Sequence, residues 1–451
     1  MMKSLLFVIP WARKFVDNAD YVYAESPERA PENVVGLATF LRTQGVRVEI
    51  ADMSYLLMQC KGNIEQCLQL LWNKCKSFAP DVIGLSFFTA RFETASIIVS
   101  FLRSHYRDNA PMIIAGGIHA TLLPDITYQY INFDALMIGE GELSLVSLLK
   151  DEPLDKIRGV YLKGQRTKTM GEAIRNLDDL PMPDWSFVNK EFYSQPCYFL
   201  SYSAKERVMP ITFGRGCLYR CNFCAHNSFL GKRCHSPEYF IDMMDYTAKQ
   251  CGVNAFIVQD SSVGSFKKEW TKVCELLIDK GSPYRWWGNL RANQVDEDFL
   301  QIMKEAGCGK VFFGFESGSP RILERMNKRV TIEQCKEAAR LCHKVGLPFY
   351  TSYIINYFGE EDEDLQLTER LIRETRPTSL AINKFSPIPG SVDFDTHQDI
   401  ILPYMKDVEC WTNLGLLNAP RLFGNMSTER FEYWQDHLLQ LKKEINSNED
   451  F

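Results

Sequence analysis

The feature that most constrains this chain is a group of three closely spaced cysteines, Cys217, Cys221 and Cys224. Their C-x3-C-x2-C spacing comes directly after an apolar run, residues 208–213, that predicts a strand. Three soft thiolates on one tight loop can bind three irons of a [4Fe–4S] cubane and leave the fourth iron open to a substrate or cofactor. The alternatives are three ordinary thiols or a partial zinc site, for which Cys234 and His226 are possible further donors.

Length and composition limit the classes of protein to which the chain can belong. A chain of 451 residues predicts two or three domains. Its formal charge of −6, without a basic stripe, predicts no nucleic-acid partner, and no apolar run is long enough to predict a membrane partner. The short apolar start, residues 4–9, predicts a buried strand rather than a signal peptide. Scattered cysteines are not typical of a secreted disulfide framework, so we expect a cytoplasmic protein in a reducing, oxygen-poor (anaerobic) setting.

Strand and helix patterns alternate through the N-terminal third of the chain. The predicted strands are Leu5–Ile9, Val46–Ile50, Val82–Phe87, Met112–Ala115 and Ala135–Ile138. Helical periods between them predict an α/β domain over residues 1–150, with a parallel Rossmann-like (flavodoxin-like) sheet covered on both faces. Ligands of such sheets lie beyond the carboxyl ends of the strands.

The same alternation returns in the second half of the chain. Residues 151–206 predict a linker with a small hairpin near 158–162 and a proline-bracketed strap. The strands predicted beyond it are Val208–Phe213, Ala255–Gln259, Arg285–Leu290, Val311–Phe315, Tyr350–Ile355 and Ala381–Phe385. Six βα repeats over residues 207–395 predict a partial (β/α)6 barrel, in which chemistry collects at the carboxyl ends of the strands. Residues 396–451 predict a small helical cap that includes a helix over Thr428–Ile445.

The cysteine loop, the six repeats and the string Gly314-Phe315-Glu316-Ser317-Gly318 together resemble the radical S-adenosylmethionine (SAM) enzymes, whose open iron chelates SAM. The resemblance implies SAM contacts from Phe223, Asn289, Arg291, Glu316, Asn356 and Pro389. The plain alternative for Arg291 and Glu316 is an internal ion pair. Asn356 and Phe358 stand where relatives often have Gly and Pro.

The N-terminal domain resembles the cobalamin-binding domain that precedes the barrel in one radical SAM subclass. Shared traits include the Pro10 turn and the Gly116-Gly117-x-His119 string. The resemblance implies cobalamin contacts from Ser86, Thr89, Gly116, Gly117, His119, Gly139, Glu140 and Gly141. Asp52 is not followed by the D-x-H-x-x-G motif, so the resemblance implies base-off cobalamin without a protein His ligand. The alternative is a flavodoxin-like domain with another ligand or none.

The two resemblances together imply a cobalamin-dependent (class B) radical SAM enzyme with three cofactors: a [4Fe–4S] cluster, SAM and cobalamin. Reductive cleavage of SAM would give a 5′-deoxyadenosyl radical that abstracts hydrogen from an unactivated carbon, followed by methyl transfer from methylcobalamin to a small-molecule substrate. An electron donor such as flavodoxin or ferredoxin is the implied partner. Two alternatives stay open: a non-methylating rearrangement, cyclisation or oxidation, and an iron–sulfur redox or sensor protein without turnover. Asp260, Tyr353 and Asn383 are polar groups near strand ends, and none is assigned a catalytic role.

Overall fold

The computed structural model describes residues 3–11, 29–106, 109–201, 204–225, 231–415, 423 and 425–446. The chain divides into two compact units, one made of residues 1–193 and 399–416 and the other of residues 194–398 and 417–451. Within the described residues, no helix is both long enough and apolar enough to cross a membrane.

The first unit is built on a six-stranded sheet. Its strands are β1 (Leu5–Ile9), β2 (Val48–Asp52), β3 (Val82–Ser86), β4 (Met112–Gly116), β5 (Ala135–Met137) and β6 (Val160–Tyr161). They lie in the order β2-β1-β3-β4-β5-β6, and all neighbours are parallel except β5 and β6. All five residues of β1 are buried, as expected for a parallel sheet covered on both faces. The hairpin predicted near residues 158–162 is instead strand β6, because Val160 and Tyr161 pair with β5.

Helices cover this sheet. They are α1 (Glu32–Thr43), α2 (Met53–Gln59), α3 (Ile64–Phe78), α4 (Phe92–His105), α5 (Ile118–Leu122), α6 (Pro124–Tyr130), α7 (Glu142–Leu149) and α8 (Lys190–Tyr193). Side-chain caps begin two of them: Asp52 accepts from two backbone N–H groups of α2, and Asn63 accepts from one of α3. The proline-bracketed strap also packs on this unit, where the Asp184 N–H donates to Thr39 Oγ1 over 2.9 Å.

The second unit carries the barrel-like sheet. Its strands are β7 (Pro196–Ser201), β8 (Ala204–Ile211), β11 (Ala255–Val258), β12 (Arg285–Leu290), β13 (Cys308–Glu316), β14 (Phe349–Ile355) and β15 (Ser379–Lys384). Between β8 and β11, β9 (Gly214–Arg215) and β10 (Arg233–Cys234) form a separate antiparallel pair. The order β15-β14-β13-β12-β11-β8-β7 contains six consecutive parallel strands, and β7 pairs with β8 antiparallel. The predicted α/β class, a Rossmann-like domain followed by a six-strand partial barrel, is therefore confirmed.

The helices of this unit are α9 (Pro237–Cys251), α10 (Lys267–Asp279), α11 (Glu297–Glu305), α12 (Pro320–Arg325), α13 (Ile332–Val345), α14 (Asp362–Thr375) and α15 (Val392–Thr396). Ser236 caps α9, and Thr331 and Gln334 form a capping box at α13. Gly252 and Gly346 end these two helices in the left-handed conformation, which glycine adopts at little cost.

The C-terminal region is divided between the two units. It contains α16 (Gln398–Ile401), α17 (Val408–Gly415) and α18 (Thr428–Asn446). Helix α17 packs against α4 in the first unit, where the Glu93 N–H donates to Thr412 Oγ1 over 3.0 Å. Helix α18 packs along β15 in the second unit, where the Leu380 N–H donates to Asn446 Oδ1 over 2.9 Å.

Candidate functional site

The cysteine loop leaves the barrel at the carboxyl end of β8. Just beyond that strand, the N–H groups of Phe213 and Gly214 donate to Oδ1 of Asp260, over 2.9 and 3.0 Å. Asp260 follows the neighbouring strand β11 and is 1% exposed. Its carboxylate therefore satisfies backbone donors where the loop begins, which is a structural role.

A turn made of residues 325–329 holds the middle of the cysteine loop. Asn222 donates from its N–H to the Met326 carbonyl and from Nδ2 to the Arg325 carbonyl, over 2.9 and 2.8 Å. Asn327 Nδ2 donates to the Arg220 carbonyl over 2.7 Å. Asn327 and Arg329 both have a positive φ, 49° and 52°, so the turn adopts a backbone conformation that most side chains avoid. These bonds fix the loop on both sides of its second cysteine, Cys221.

The three cysteines share this loop with different degrees of exposure. Cys221 is buried, at 6% exposure, whereas Cys217 and Cys224 are half-buried. The described cysteines form no disulfide, and no three described His, Cys, Asp or Glu side chains already surround a point where one ion could bind. A cubane suits the donor set, because each thiolate binds a different iron. Of the possible zinc donors, Cys234 lies in β10 and His226 lies outside the described residues.

Arg291 contacts the cysteine loop at two points. It follows β12 and is 6% exposed. Its Nη1 donates to Cys221 Sγ over 3.4 Å, and its guanidinium carbon lies 3.6 Å from the centre of the Tyr219 ring. Its Nη2 donates to the Lys328 carbonyl. Arg291 is therefore not the ion-pair partner of Glu316, which was the plain alternative.

The partner of Glu316 is Lys328, which no sequence motif had indicated. Lys328 Nζ lies 2.7 Å from Glu316 Oε1, and both side chains are almost fully buried. Ser352 Oγ, from β14, donates to the other carboxylate oxygen over 3.2 Å. Glu316 has a φ of 66°, so its backbone is held in the left-handed region at the end of β13. Lys328 Nζ also lies 5.7 Å from the ring centre of Phe223, which places this charged pair beside the cysteine loop.

The other predicted SAM contacts lie at the same end of the second unit's sheet. Asn289 Nδ2 donates to the Asp260 carbonyl over 2.9 Å, and Pro389 is buried just before the turn at Gly390. Asn356 is 1% exposed with a φ of 65°, and neither of its amide atoms has a hydrogen-bond partner among the described residues. Buried polar atoms are usually paired, so an unpaired amide is consistent with a bound ligand at this position. The SAM contacts stay a prediction.

A buried carboxyl group follows Asn356 on the same strand end. Glu360 is fully buried and accepts a hydrogen bond from the Asn356 N–H. Burial raises the pKa of this carboxyl to about 8, against the smaller opposing effect of that hydrogen bond. The group is therefore neutral over much of the physiological range.

A tyrosine and an aspartate connect β14 and α15 to the cysteine loop. The Tyr357 hydroxyl donates to Asp393 Oδ2 over 2.6 Å, and both residues are buried. The Asp393 N–H donates to the carbonyl of Asn222 over 3.0 Å. Burial raises the pKa of both the Tyr357 phenol and the Asp393 carboxyl.

The first unit has its candidate site at the carboxyl edge of its own sheet. Ser86 ends β3, Gly116 ends β4 and Gly117 follows it, and all three are half-buried. Gly117 has a φ of 88°, and a Cβ there would lie 3.0 Å from the backbone N and O of Phe87. The predicted residues after β5 are half-buried as well: Gly139, Glu140 and Gly141. The strand order matches that of flavodoxin-like domains, whose ligands bind at this edge.

Two of the predicted cobalamin contacts are enclosed beneath this edge. His119 is 0% exposed, and its Nδ1 lies 3.1 Å from Thr89 Oγ1, which is also buried. Burial lowers the pKa of His119 to about 3, so its imidazole is neutral. Its Nε2 has no hydrogen-bond partner among the described residues. The half-buried edge residues and this unpaired nitrogen fit a polar ligand, and the individual contacts stay a prediction.

Asp52 takes a structural part in the same unit. Its Oδ1 caps α2 through Ser54 and Tyr55, and its Oδ2 accepts from the Tyr193 hydroxyl over 2.6 Å. Burial raises the pKa of this carboxyl. The residue where a cobalt-ligating motif would begin is thus occupied in capping a helix.

Comparison with known families agrees with both halves of this description. The radical SAM superfamily model matches residues 211–372, and the B12 binding domain model matches residues 31–149. The chain belongs to the cobalamin-dependent radical SAM enzymes. The cofactors expected of this family are a [4Fe–4S] cluster, SAM and cobalamin, which is the predicted set, and the base-off ligation of cobalamin stays a prediction.

Relatives of this radical SAM enzyme carry different activities. An uncharacterized methyltransferase of Pyrococcus horikoshii is 27% identical over 70% of this chain and 69% of its own length. An anaerobic magnesium-protoporphyrin IX monomethyl ester cyclase of Cereibacter sphaeroides is 26% identical over 73% of this chain, which spans only 55% of that protein. A cytidylyl-2-hydroxyethylphosphonate methyltransferase of Streptomyces wedmorensis is 25% identical over 86% of this chain and 82% of its own length.

A solved structure shares the fold. It is the radical SAM methyltransferase TsrM of Kitasatospora setae with cobalamin and a [4Fe–4S] cluster bound. It is 18% identical, with a TM-score of 0.69, over 90% of this chain and 79% of its own. At this identity the likeness shows the fold alone.

Proposed function

We propose that this protein is a cobalamin-dependent radical SAM C-methyltransferase that acts on a small metabolite. The observation that carries the proposal is the presence in one chain of two features: a three-cysteine loop held by hydrogen bonds to the turn at residues 325–329, and a B12-binding domain. The phosphonate methyltransferase adds support, because the similarity covers most of both chains. When bound, the cluster and SAM supply a 5′-deoxyadenosyl radical, and cobalamin supplies the methyl group.

In this proposal the chain's own residues place and enclose the reactants. Cys217, Cys221 and Cys224 hold the cluster, and Phe223 and the Glu316–Lys328 pair lie where SAM would bind. A planar side chain and a buried ion pair with fixed geometry can orient a charged cofactor without further rearrangement. In the first unit, Ser86 and Gly116–Gly117 would approach the cobalamin tail.

The test uses the full chain, reconstituted anaerobically with iron, sulfide, hydroxocobalamin and a reductant. SAM labelled in its methyl group is supplied with two probe acceptors, cytidylyl-2-hydroxyethylphosphonate and tryptophan, taken from proteins similar to this chain. We expect 5′-deoxyadenosine, together with label in an acceptor whose mass rises by one methyl group. The Cys217→Ala variant should form neither product.

Two outcomes would contradict methyl transfer, and each points elsewhere. An acceptor converted without added carbon would favour the non-methylating alternative, which the similarity to a cyclase also supports. Complete absence of 5′-deoxyadenosine from cluster-loaded protein would favour the redox or sensor alternative.

A further inference from the structure

We infer that Arg291 tunes the reduction potential of the cluster by donating a hydrogen bond to the sulfur of Cys221. Nη1 lies 3.4 Å from that sulfur, and both residues are 6% exposed. A buried cation beside a thiolate ligand is in a region of low dielectric constant, where its charge is screened little. The inference rests on the cluster of the proposed function and does not depend on methyl transfer.

The guanidinium is fixed from several sides. Tyr219, within the cysteine loop, stacks on it with the guanidinium carbon 3.6 Å from the ring centre. Its Nη2 donates to the Lys328 carbonyl. Gln294 fixes the backbone of Arg291 through two hydrogen bonds. The Arg291 N–H donates to Gln294 Oε1 over 3.2 Å, and the Gln294 N–H donates to the Arg291 carbonyl over 3.0 Å. Such a group cannot easily turn away from the sulfur.

The direction of the effect follows from charge. A reduced cluster carries one more negative charge than an oxidised one, so a nearby cation and a hydrogen bond to a ligand sulfur stabilise the reduced form. Hydrogen bonds to the sulfurs and the net local charge are established means of setting cluster potentials. Arg291 therefore raises the potential and eases loading of the electron from the donor protein.

The test measures the potential directly and uses no acceptor, so its result is separate from that of the methyltransferase assay. Wild type, Arg291→Gln, Arg291→Lys and Arg220→Gln are reconstituted anaerobically without SAM. Iron and sulfide per chain are measured, and the midpoint potential is titrated by electron paramagnetic resonance of the reduced cluster. Arg220 is the matched control, because it is a cation in the same loop with an exposed side chain.

We expect Arg291→Gln to keep its iron and shift to a more negative midpoint potential. Arg291→Lys should shift the potential in the same direction but by less. Its ammonium keeps the positive charge, but it lacks the planar fork that reaches the sulfur and the Lys328 carbonyl together. Arg220→Gln should leave the potential unchanged. The inference is overturned if Arg291→Gln has the wild-type potential, or if Arg220→Gln shifts it equally. If Arg291→Gln loses iron, Arg291→Lys decides the question, and an unchanged potential there overturns the inference.

Discussion

Lys328 shows how one residue can serve the second unit in two ways, through its side chain and through its backbone. Its ammonium neutralises Glu316 in the interior, and its carbonyl accepts from Arg291. Removing one partner of a buried ion pair leaves an uncompensated charge, which costs far more than loss of an exposed pair.

We therefore expect Lys328→Met to lower the stability of the protein by about 3–5 kcal/mol, the range for breaking a buried pair. The measurement is the melting temperature of the apo protein by calorimetry. Lys336→Met is the control, because its pair with Glu374 is half exposed and should contribute below ~1 kcal/mol. Equal, small losses in the two variants would show that the Glu316 carboxylate does not need Lys328.

Glu360 predicts a dependence of stability on pH. Its pKa is raised from an ordinary 4.5 to about 8, so between those pH values the folded state binds a proton that the unfolded state has lost. The contribution of this protonated carboxyl to the free energy of unfolding is fully present below pH 4.5 and is lost as the pH rises to about 8. Glu360→Gln stays neutral throughout. Its gain in melting temperature over wild type should therefore grow from pH 5 to pH 8 and then level off.

The size of that gain follows from the shift, since each pKa unit is worth about 1.4 kcal/mol. We expect the free energy of unfolding of Glu360→Gln to exceed that of wild type by a few kcal/mol at pH 8.5 and by little at pH 5. A difference between variant and wild type that is the same at every pH would contradict it. Gln can still accept from the Asn356 N–H, so the variant preserves the local backbone geometry.

Among the elements, the turn at residues 325–329 is the support on which the cysteine loop depends. It follows the short helix α12, and its carbonyls face the amide of Asn222 within the loop. Loops of this length keep one conformation only if their buried polar groups are satisfied, so the turn and the loop should act together in binding the cluster.

Asn222→Ala removes one of these hydrogen bonds, worth about 1 kcal/mol. We expect the reconstituted variant to lose iron to a chelator several times faster than wild type, followed by absorbance under anaerobic conditions. Asn293→Ala is the control, because the Asn293 Nδ2 hydrogen bond goes over 3.2 Å to the Arg329 carbonyl of the same turn and not to the cysteine loop. Equal rates of iron loss from Asn222→Ala and wild type would show that the turn does not clamp the loop.

For the whole molecule, the sequence predicted the strands that are long, apolar and buried. β1 and β12 lie at the predicted residues, because all or alternate positions of these strands are apolar and buried. The hydrogen-bond and ion-pair partners of the predicted site residues could not be predicted from the sequence. Lys328 is separated from Glu316 by a helix and a turn, and only the fold brings the two charges together. Helix α17 returns to the first unit through a contact between Glu93 and Thr412, which no local pattern could reveal.

The division into two units leads to a final prediction, that the two cofactors load independently. Gly117→Val should abolish corrinoid binding, because a side chain there meets Phe87 at 3.0 Å and is strained at a φ of 88°. The variant should still take up the wild-type amount of iron, since all three cysteines lie in the other unit. Cys221→Ser should show the reverse, with bound corrinoid and little iron.

Each loading is measured after anaerobic reconstitution, iron by colorimetric assay and corrinoid by absorbance after gel filtration. Gly36→Ala is the control for a glycine change in the first unit, because a Cβ there meets no atom within 4 Å. It should retain both cofactors. Loss of iron from Gly117→Val, with an unchanged circular dichroism spectrum, would mean that cluster binding requires the B12 domain to be intact. Independent loading would instead mean that each unit builds its own site from local contacts, as the hydrogen bonds around Asn222 and around Thr89 indicate.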